Sequence, residues 1–232
     1  MNRNVDALNR SERYRILSGA ITPRPIAFVS SQRPDGARNL APFSFFNGVG
    51  VEPMMLMFSP LTTGAGEDKD TLRNVSMPDE GGTGEFVVNL VDEALVRAMS
   101  AAAESLPYGE SEFDLAGLTE AKSAVVGPPR VAEAPVSFEC VTRQIIRTGP
   151  GLPLSGNLVL GEVVHVWVRD ELLDAALHVD QDALATVGRL GGAVYTTTRD
   201  RFPLVRGREA LQAELPFVPR GQRPAKSSDR GG

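Results

Sequence analysis

The chain has 232 residues, of which 42% are hydrophobic and 23% charged, a composition typical of a globular domain and not of a disordered or fibrous chain. The formal net charge of -5 argues against a nucleic-acid-binding protein, because such proteins usually present a basic face. A single cysteine, Cys140, excludes an intramolecular disulfide bond and fits a reducing compartment. The polar N-terminal residues and the shortness of every apolar run predict a soluble, cytoplasmic protein without a membrane span.

Most apolar stretches are short, rich in β-branched and aromatic residues, and bounded by Gly, Pro, Asn or Asp, as is typical of antiparallel strands. The Arg-Pro-Asp-Gly segment at 33–36 is typical of a tight turn between the first two strands. The nearly continuous apolar run at 163–168 predicts a central position in the sheet. The predicted strands are 25–31, 40–47, 54–59, 85–90, 136–147, 157–169 and 192–197.

Helices are predicted to be few and short. One starts within 6–17, one spans 70–75, one spans 93–104 after a capping aspartate, and short pieces lie at 172–177 and 181–186. From Pro216 the composition changes to Pro, Gly, Arg, Lys and Ser, so residues 216–232 are predicted to form a flexible tail. The sequence therefore predicts a mainly β fold with a few helices in one domain.

Several familiar kinds of site are not predicted. The two histidines, His165 and His178, do not stand at metal-ligand spacing with Cys140 or with paired carboxylates, so no metal site is expected. The glycine pairs at 48–50 and 64–66 lack the third glycine of a dinucleotide-binding fingerprint. Any nicotinamide nucleotide must therefore bind without a Rossmann domain.

Four stretches suit a ligand site. Residues 22–31 place an arginine between two prolines, before a strand that ends in two serines. Residues 39–47 interleave small, polar and aromatic side chains, with a proline that leaves backbone groups free of ladder bonds. Residues 67–74 place a lysine beside a helix N-terminus, where a bound phosphate would offset the unfavourable charge. Residues 189–195 combine paired glycines with Arg and Tyr. Each stretch taken alone is also consistent with a structural role.

In this order and spacing the four stretches resemble the flavin reductase-like, FMN-binding split-barrel family, which includes flavoredoxin-like proteins. The resemblance covers about residues 16–201. It implies a Greek-key split β-barrel at 16–215, a partly helical segment at 1–15, and a homodimer with FMN near the subunit interface. The matching stretches are 23–27, 39–47, 69–71, 85–89, 112–113, 129–131, 161–163 and 189–195.

The resemblance also implies which residues contact the cofactor. Ser30 and Ser31 would border the flavin, and Arg189 and Tyr195 would lie close to it, from either subunit. Arg24 and Asn47 are left between a site role and a structural one. The residues implied for the ring and its pyrimidine edge are Asn39, Ala41, Pro42, Phe43 and Ser44. Those implied for the ribityl phosphate are Ser59, Lys69 and Thr71.

The expected function is that of an oxidoreductase in which NAD(P)H reduces FMN, with FAD as an alternative flavin. No catalytic side chain is implied, because the flavin N5 accepts hydride directly from a stacked nicotinamide. The electron acceptor would be a partner monooxygenase or redox protein. Flavin reductases of this fold often carry a histidine near the C-terminus, and none follows His178 here. A non-enzymatic FMN-containing electron carrier and a ligand-sensing barrel without flavin therefore stay as alternatives.

Overall fold

The computed structural model describes residues 2–106 and 110–217. Seven of its strands form one antiparallel sheet, and the other four form two small ladders. The strands are β1 (Ala27–Gln32), β2 (Arg38–Phe43), β3 (Phe46–Val51), β4 (Met54–Phe58), β5 (Glu85–Leu90), β6 (Glu120–Ala121), β7 (Arg130–Val131), β8 (Val136–Arg147), β9 (Asn157–Val168), β10 (Val187–Arg189) and β11 (Tyr195–Thr197).

The helices are short, so the predicted mainly β fold with a few helices is confirmed. The first helix begins at Arg10, within the range expected from the sequence, where Asn9 and Glu12 form a capping box. Four 3₁₀ turns lie at 5–7, 78–80, 170–172 and 208–212 of the described chain. The α-helices are α1 (Arg10–Ala20), α2 (Asp70–Val75), α3 (Val96–Ala101), α4 (Glu112–Ala116) and α5 (Gln181–Leu184).

The order of the large sheet, β2-β1-β5-β8-β9-β4-β3, places consecutive strands at its two edges. β2 ends at Phe43 and β3 begins at Phe46, so only two residues join these edges. Seven strands laid flat would span about 29 Å, whereas three Cα steps reach at most about 11 Å. The sheet must therefore roll up until the edges meet, which is the closure of a barrel. We call the connection at 43–46 the seam.

Pro42 lies in β2, the edge strand, where it pairs with Phe28 of β1. A proline in an edge strand can turn its donor-free nitrogen away from the ladder. The predicted single strand at 40–47 is therefore interrupted at the seam, and Pro42 lies at an edge as expected.

The interior of the barrel is aromatic. Phe58 packs against Phe43 and against Phe86, with ring centroids 5.2 Å apart in both pairs. Gly161 of β9 faces the Phe86 ring so closely that an added Cβ would lie 2.4 Å from its Cζ. A glycine at this position is therefore required by the space that the aromatic core takes up.

β9, which contains the apolar residues 163–168, lies between β8 and β4 inside the sheet as predicted, but residues 163–168 themselves have a neighbouring strand on one side only. They pair with β8 on one side, but the pairing of β9 with β4 ends at Glu162. Val164 and Val166 are each 41% exposed. The whole run therefore lies beyond the pairing with β4, and its apolar composition did not indicate this exposure.

Residues 199–217 belong to a second compact unit that begins at Arg199. Within it the rings of Phe202 and Phe217 pack edge to face with centroids 5.1 Å apart. Most of the predicted tail, from residue 218 onward, lies outside the described residues. None of the helices in the described part of the chain is long and apolar enough to cross a membrane.

We expect Gly161→Ala to lower the free energy of unfolding by about 1–3 kcal/mol, because the added methyl group would overpack the ring of buried Phe86. Gly19→Ala in α1 is the matched control, since its Cβ meets nothing within 4 Å and alanine favours helix by up to about 1 kcal/mol. Chemical denaturation of both variants measures the difference. Equal stability of the two variants would contradict the packing account.

Candidate flavin site

Two adjoining hollows open beside the seam. The first, which we call the hydroxyl hollow, has a volume of about 530 Å³. The second, which we call the acidic hollow, has a volume of about 350 Å³. They share Pro42, Phe43, Thr63, Lys69 and Ser105, so they form one continuous cleft that suits a small organic ligand.

Eight of the twelve residues that the sequence assigned to the cofactor line this cleft. Asn39, Ala41 and Thr71 face the acidic hollow. Ser44 and Ser59 face the hydroxyl hollow, and Pro42, Phe43 and Lys69 face both. The other four are Ser30, Ser31, Arg189 and Tyr195, which line neither hollow.

The described lining of the hydroxyl hollow contains no carboxylate and one cation, Lys69. Aromatic rings come from Phe43 and Phe45, and apolar side chains from Leu61 and Leu154. The hydroxyl groups that give the hollow its name are those of Tyr14, Ser44, Ser59, Thr62, Thr63 and Ser105. Such a lining suits a ligand with a planar apolar ring, several hydroxyl groups and a negative charge.

Lys69 precedes α2 and makes no side-chain cap to it. The carboxylates on either side of Lys69 in the sequence already have partners. Asp68 pairs with Arg147 at 2.9 Å, and Asp70 pairs with Arg73 at 3.2 Å. The ion pairs within the described residues do not include Lys69, so its ammonium group is available to an anionic ligand.

Thr71 completes the polar end of the cleft. Its Oγ1 accepts a 2.8 Å hydrogen bond from Asn39 Nδ2, so its own proton is left to donate to a ligand oxygen. Ser31 lies behind this pair, where its Oγ accepts from Asn39 at 3.5 Å and from Asn74 at 3.1 Å. Ser31 is fully buried, so it can influence the cleft only by holding the side chain of Asn39 in place.

Glu112 carries part of the acidic hollow's charge. It accepts a 2.9 Å hydrogen bond from the backbone N–H of Leu40. Burial raises the pKa of Glu112, an effect that the Leu40 bond opposes and the nearby Asp70 reinforces.

Ser30, Arg189 and Tyr195 are engaged elsewhere in the protomer. The Ser30 hydroxyl is buried and donates to the carbonyl of Pro129. The Arg189 guanidinium lies over the ring of Tyr195, 4.4 Å from its centroid, and donates to the Tyr195 hydroxyl and to the carbonyl of Gly192 at 2.6 Å. These contacts hold the β10–β11 ladder together.

Sequence reasoning missed several residues of the hydroxyl hollow. Tyr14 comes from α1, which was expected to lie outside the barrel domain, and Leu154 comes from the loop between β8 and β9. Thr62 and Thr63 follow β4. The only signal for them was the adjacent threonines before Gly64, and nothing in the sequence indicated Tyr14 or Leu154.

A third cavity, which we call the apolar groove, has a volume of about 760 Å³. β3 and β4 supply one wall, including Val49, Val51 and Met54, and β10 supplies Val187 and Gly188 of another. Val51 is 88% exposed. An apolar surface of this kind marks an interaction site more often than a bare face of a monomer.

The described residues contain no group of three or more His, Cys, Asp or Glu side chains that could hold a metal ion. Cys140 is buried in the barrel core, and burial raises the pKa of its thiol well above the ordinary range. The cleft at the seam thus offers hydroxyl groups, aromatic rings and a lysine that has no ion pair among the described residues, a lining that suits an organic molecule with a negative charge.

Comparison with known proteins identifies the class of protein. The family model of the flavin reductase like domain matches residues 19–188. Nitrilotriacetate monooxygenase component B from Bacillus cereus is 36% identical, with a TM-score of 0.81 over 88% of this chain and 98% of that chain. The 2-nitrobenzoate 2-nitroreductase of Pseudomonas fluorescens is 31% identical, with a TM-score of 0.78 over 90% of this chain and 97% of that one.

The chain therefore belongs to the flavin reductase-like family. The split barrel itself is shared with a more distant structure from Shewanella frigidimarina, which is 20% identical with a TM-score of 0.71 over 89% of this chain and 100% of that chain. The predicted family and the predicted split-barrel fold are both confirmed. The family and its neighbours indicate an oxidoreductase with a flavin cofactor, and the chemistry of the cleft fits a flavin.

Proposed function

We propose that the protein is an FMN-dependent oxidoreductase of the flavin reductase type that takes its electrons from NAD(P)H. The observation that carries this proposal is the hydroxyl hollow, which combines aromatic and hydroxyl groups with a lysine that has no carboxylate partner among the described residues. Ser59, Lys69 and Thr71 would hold the ribityl phosphate, and Thr63 would lie beside the ribityl chain. The ring would lie toward Ser44.

We favour FMN over FAD as the flavin. A dinucleotide would have to extend from Lys69 past the wall of the acidic hollow, which includes Glu67 and Glu104. These carboxylates would oppose the charge of a second phosphate. The hydroxyl hollow, by contrast, offers room for a single nucleotide with its one phosphate beside a free lysine.

The protein's own contribution is to bind and orient. When bound, a flavin accepts hydride and passes electrons onward, and the chain holds the ring in a fixed position against the hydride donor. The described lining of the hydroxyl hollow contains no histidine or carboxylate that could act as an acid or base. We therefore assign no catalytic side chain.

A flavin-containing electron carrier is the second candidate. Neither His165 nor His178 lines the two hollows, so neither can hold a nicotinamide ring beside the flavin within one protomer. In either case the electrons would pass to a partner monooxygenase or redox protein. The similarity to a monooxygenase component B supports a monooxygenase as that partner.

We also propose that the protein is a homodimer whose contact is the apolar groove. β3 is an edge strand, exposed from Asn47 to Val51, and such edges are normally covered or charged. A second copy of the chain would cover Val49, Val51 and Met54. In such a dimer Arg189 and Tyr195 would reach the flavin of the other copy.

The test of turnover is NADH and NADPH oxidation by the purified protein with and without added FMN. A flavin reductase consumes the nucleotide in proportion to FMN until the site is saturated. The bound flavin could instead be reduced by a protein donor such as a reduced ferredoxin and not by either nicotinamide nucleotide. That result would contradict the flavin reductase and support the electron carrier. A protein whose thermal unfolding ignores FMN would contradict both, since a ligand that binds only the folded state must stabilise it.

Lys69→Ala should weaken FMN binding about 10-fold or more while changing riboflavin binding little, because only FMN carries the phosphate that the ammonium group contacts. Isothermal titration with both ligands measures the two ratios. Lys122→Ala is the matched control, since Lys122 is exposed and lines neither hollow. Equal losses for FMN and riboflavin would place the phosphate elsewhere.

Val51→Asp should shift the protein toward the monomer, because a charge placed in a dry interface has no partner there. Sedimentation velocity at several micromolar concentrations measures the change. Val125→Asp is the control, since Val125 is 58% exposed outside the apolar groove. A wild-type monomer, or a Val51→Asp dimer as tight as the wild type, would contradict the proposed interface.

A further inference from the structure

Arg24 carries a buried positive charge that has no carboxylate partner. The side chain is 4% exposed. Its donors go to the carbonyls of Ser18, Ile21 at 3.0 Å and Leu190 at 2.9 Å, and to the hydroxyl of Ser44 at 3.2 Å. The ion pairs of the described residues do not include Arg24. An arginine stays protonated in proteins, so this charge persists. Burying it costs a desolvation free energy that a neutral hydrogen-bond donor would largely avoid.

A second uncompensated charge lies nearby. The backbones of Arg24 and Arg189 are joined by two hydrogen bonds of 2.9 and 2.8 Å. The Arg189 guanidinium is bound to Tyr195 and Gly192, which are neutral acceptors. Burial lowers the pKa of Arg24, the nearby Tyr14 opposes this effect, and the proximity of Arg189 adds to it. The region thus holds positive charge without its own counter-charge, an arrangement that favours an anion.

Ser44 connects this charge to the hydroxyl hollow. Its Oγ accepts a hydrogen bond from Arg24 Nε and also lines the hollow. A hydroxyl group that accepts a bond still has one proton to donate, and a cationic donor behind it strengthens that second bond. Ser44 therefore presents a polarised donor to the ring end of the cleft.

We propose that Arg24, acting through the Ser44 hydroxyl, is a positioning residue that stabilises the reduced, anionic form of the flavin ring. This inference rests on the proposed function. Hydride transfer breaks a C–H bond of the nicotinamide, forms an N–H bond at the flavin N5, and moves two electrons with one proton. The ring gains one negative charge and the nicotinamide becomes a cation. A donor polarised by a buried cation binds that negative charge more strongly than it binds the neutral oxidised ring.

The experiment measures the two-electron reduction potential of FMN bound to the full-length protein, by equilibration with reference dyes. Arg24→Gln removes the charge and should move the oxidised-to-reduced equilibrium at least 10-fold toward the oxidised form, which is about 30 mV more negative for a two-electron couple. Ser44→Ala should shift the potential in the same direction. The double variant should match Arg24→Gln alone, because the two groups act in series.

Arg24→Lys separates charge from structure. Lysine keeps the charge but loses the planar fork that binds three carbonyls, so we expect lower stability with a potential near the wild-type value. Arg97→Gln, an exposed site on α3, controls for the overall change in net charge. If Arg24→Gln does not fold, Ser44→Ala and Arg24→Lys carry the test.

Either of two results would overturn the inference. One is that FMN bound to folded Arg24→Gln has the same reduction potential as in the wild-type protein, and the other is that FMN bound to Ser44→Ala does. The inference would also fail if the reduction potential fell together with the free energy of unfolding across the variants, so that Arg24→Lys and Arg24→Gln had equally low potentials. Arg24 would then have a purely structural role. Failure of the wild-type protein to bind FMN is a different result, since it contradicts the proposed function before any potential is measured.

Discussion

Two residues join strands at opposite edges of a seven-stranded sheet, and the rest of the architecture follows from this connection. Because Ser44 and Phe45 cannot span a flat sheet, the sheet closes, and the carbonyl of Phe45 accepts a 2.8 Å hydrogen bond from the backbone of Ser59. Closure buries the aromatic interior. It also brings Ser44, Phe45 and Ser59 to one place, where the edges meet and a cleft opens. The constraint that forms the core therefore also forms the site.

What the cleft can offer to an anionic ligand depends on how the charges around it are paired and not on their number. The chain is acidic overall, with a formal net charge of -5, yet Asp68 and Asp70 beside the cleft are each bound to an arginine. Lys69, which lines the hydroxyl hollow, and Arg24, which lies behind Ser44 of that hollow, have no such partner among the described residues. Local pairing decides the sign of the field that a ligand meets at close range.

Local signals explain which parts of the fold could be predicted. β5 and β8 have the bounds expected from the sequence, because turn residues delimit their apolar runs on both sides. Lys69 and Thr71 could be proposed from the sequence because a lysine beside a helix start is unusual on its own, and both line the cleft. Tyr14 and Leu154 could not be found, since they reach the cleft from segments far away in the chain and carry no local pattern that points to a ligand.

The two serines at the end of β1 show why a motif match does not settle a residue's role. Successive side chains of a strand point to opposite faces, so Ser30 and Ser31 cannot both face one ligand. Ser30 donates to Pro129, while Ser31 supports Asn39 and, through it, Thr71. Adjacent residues of one motif thus have different hydrogen-bond partners and different roles in the structure. The same reasoning applies to Arg24, whose partners include Ser18 and Ile21 close by in the chain and Ser44 and Leu190 far from it.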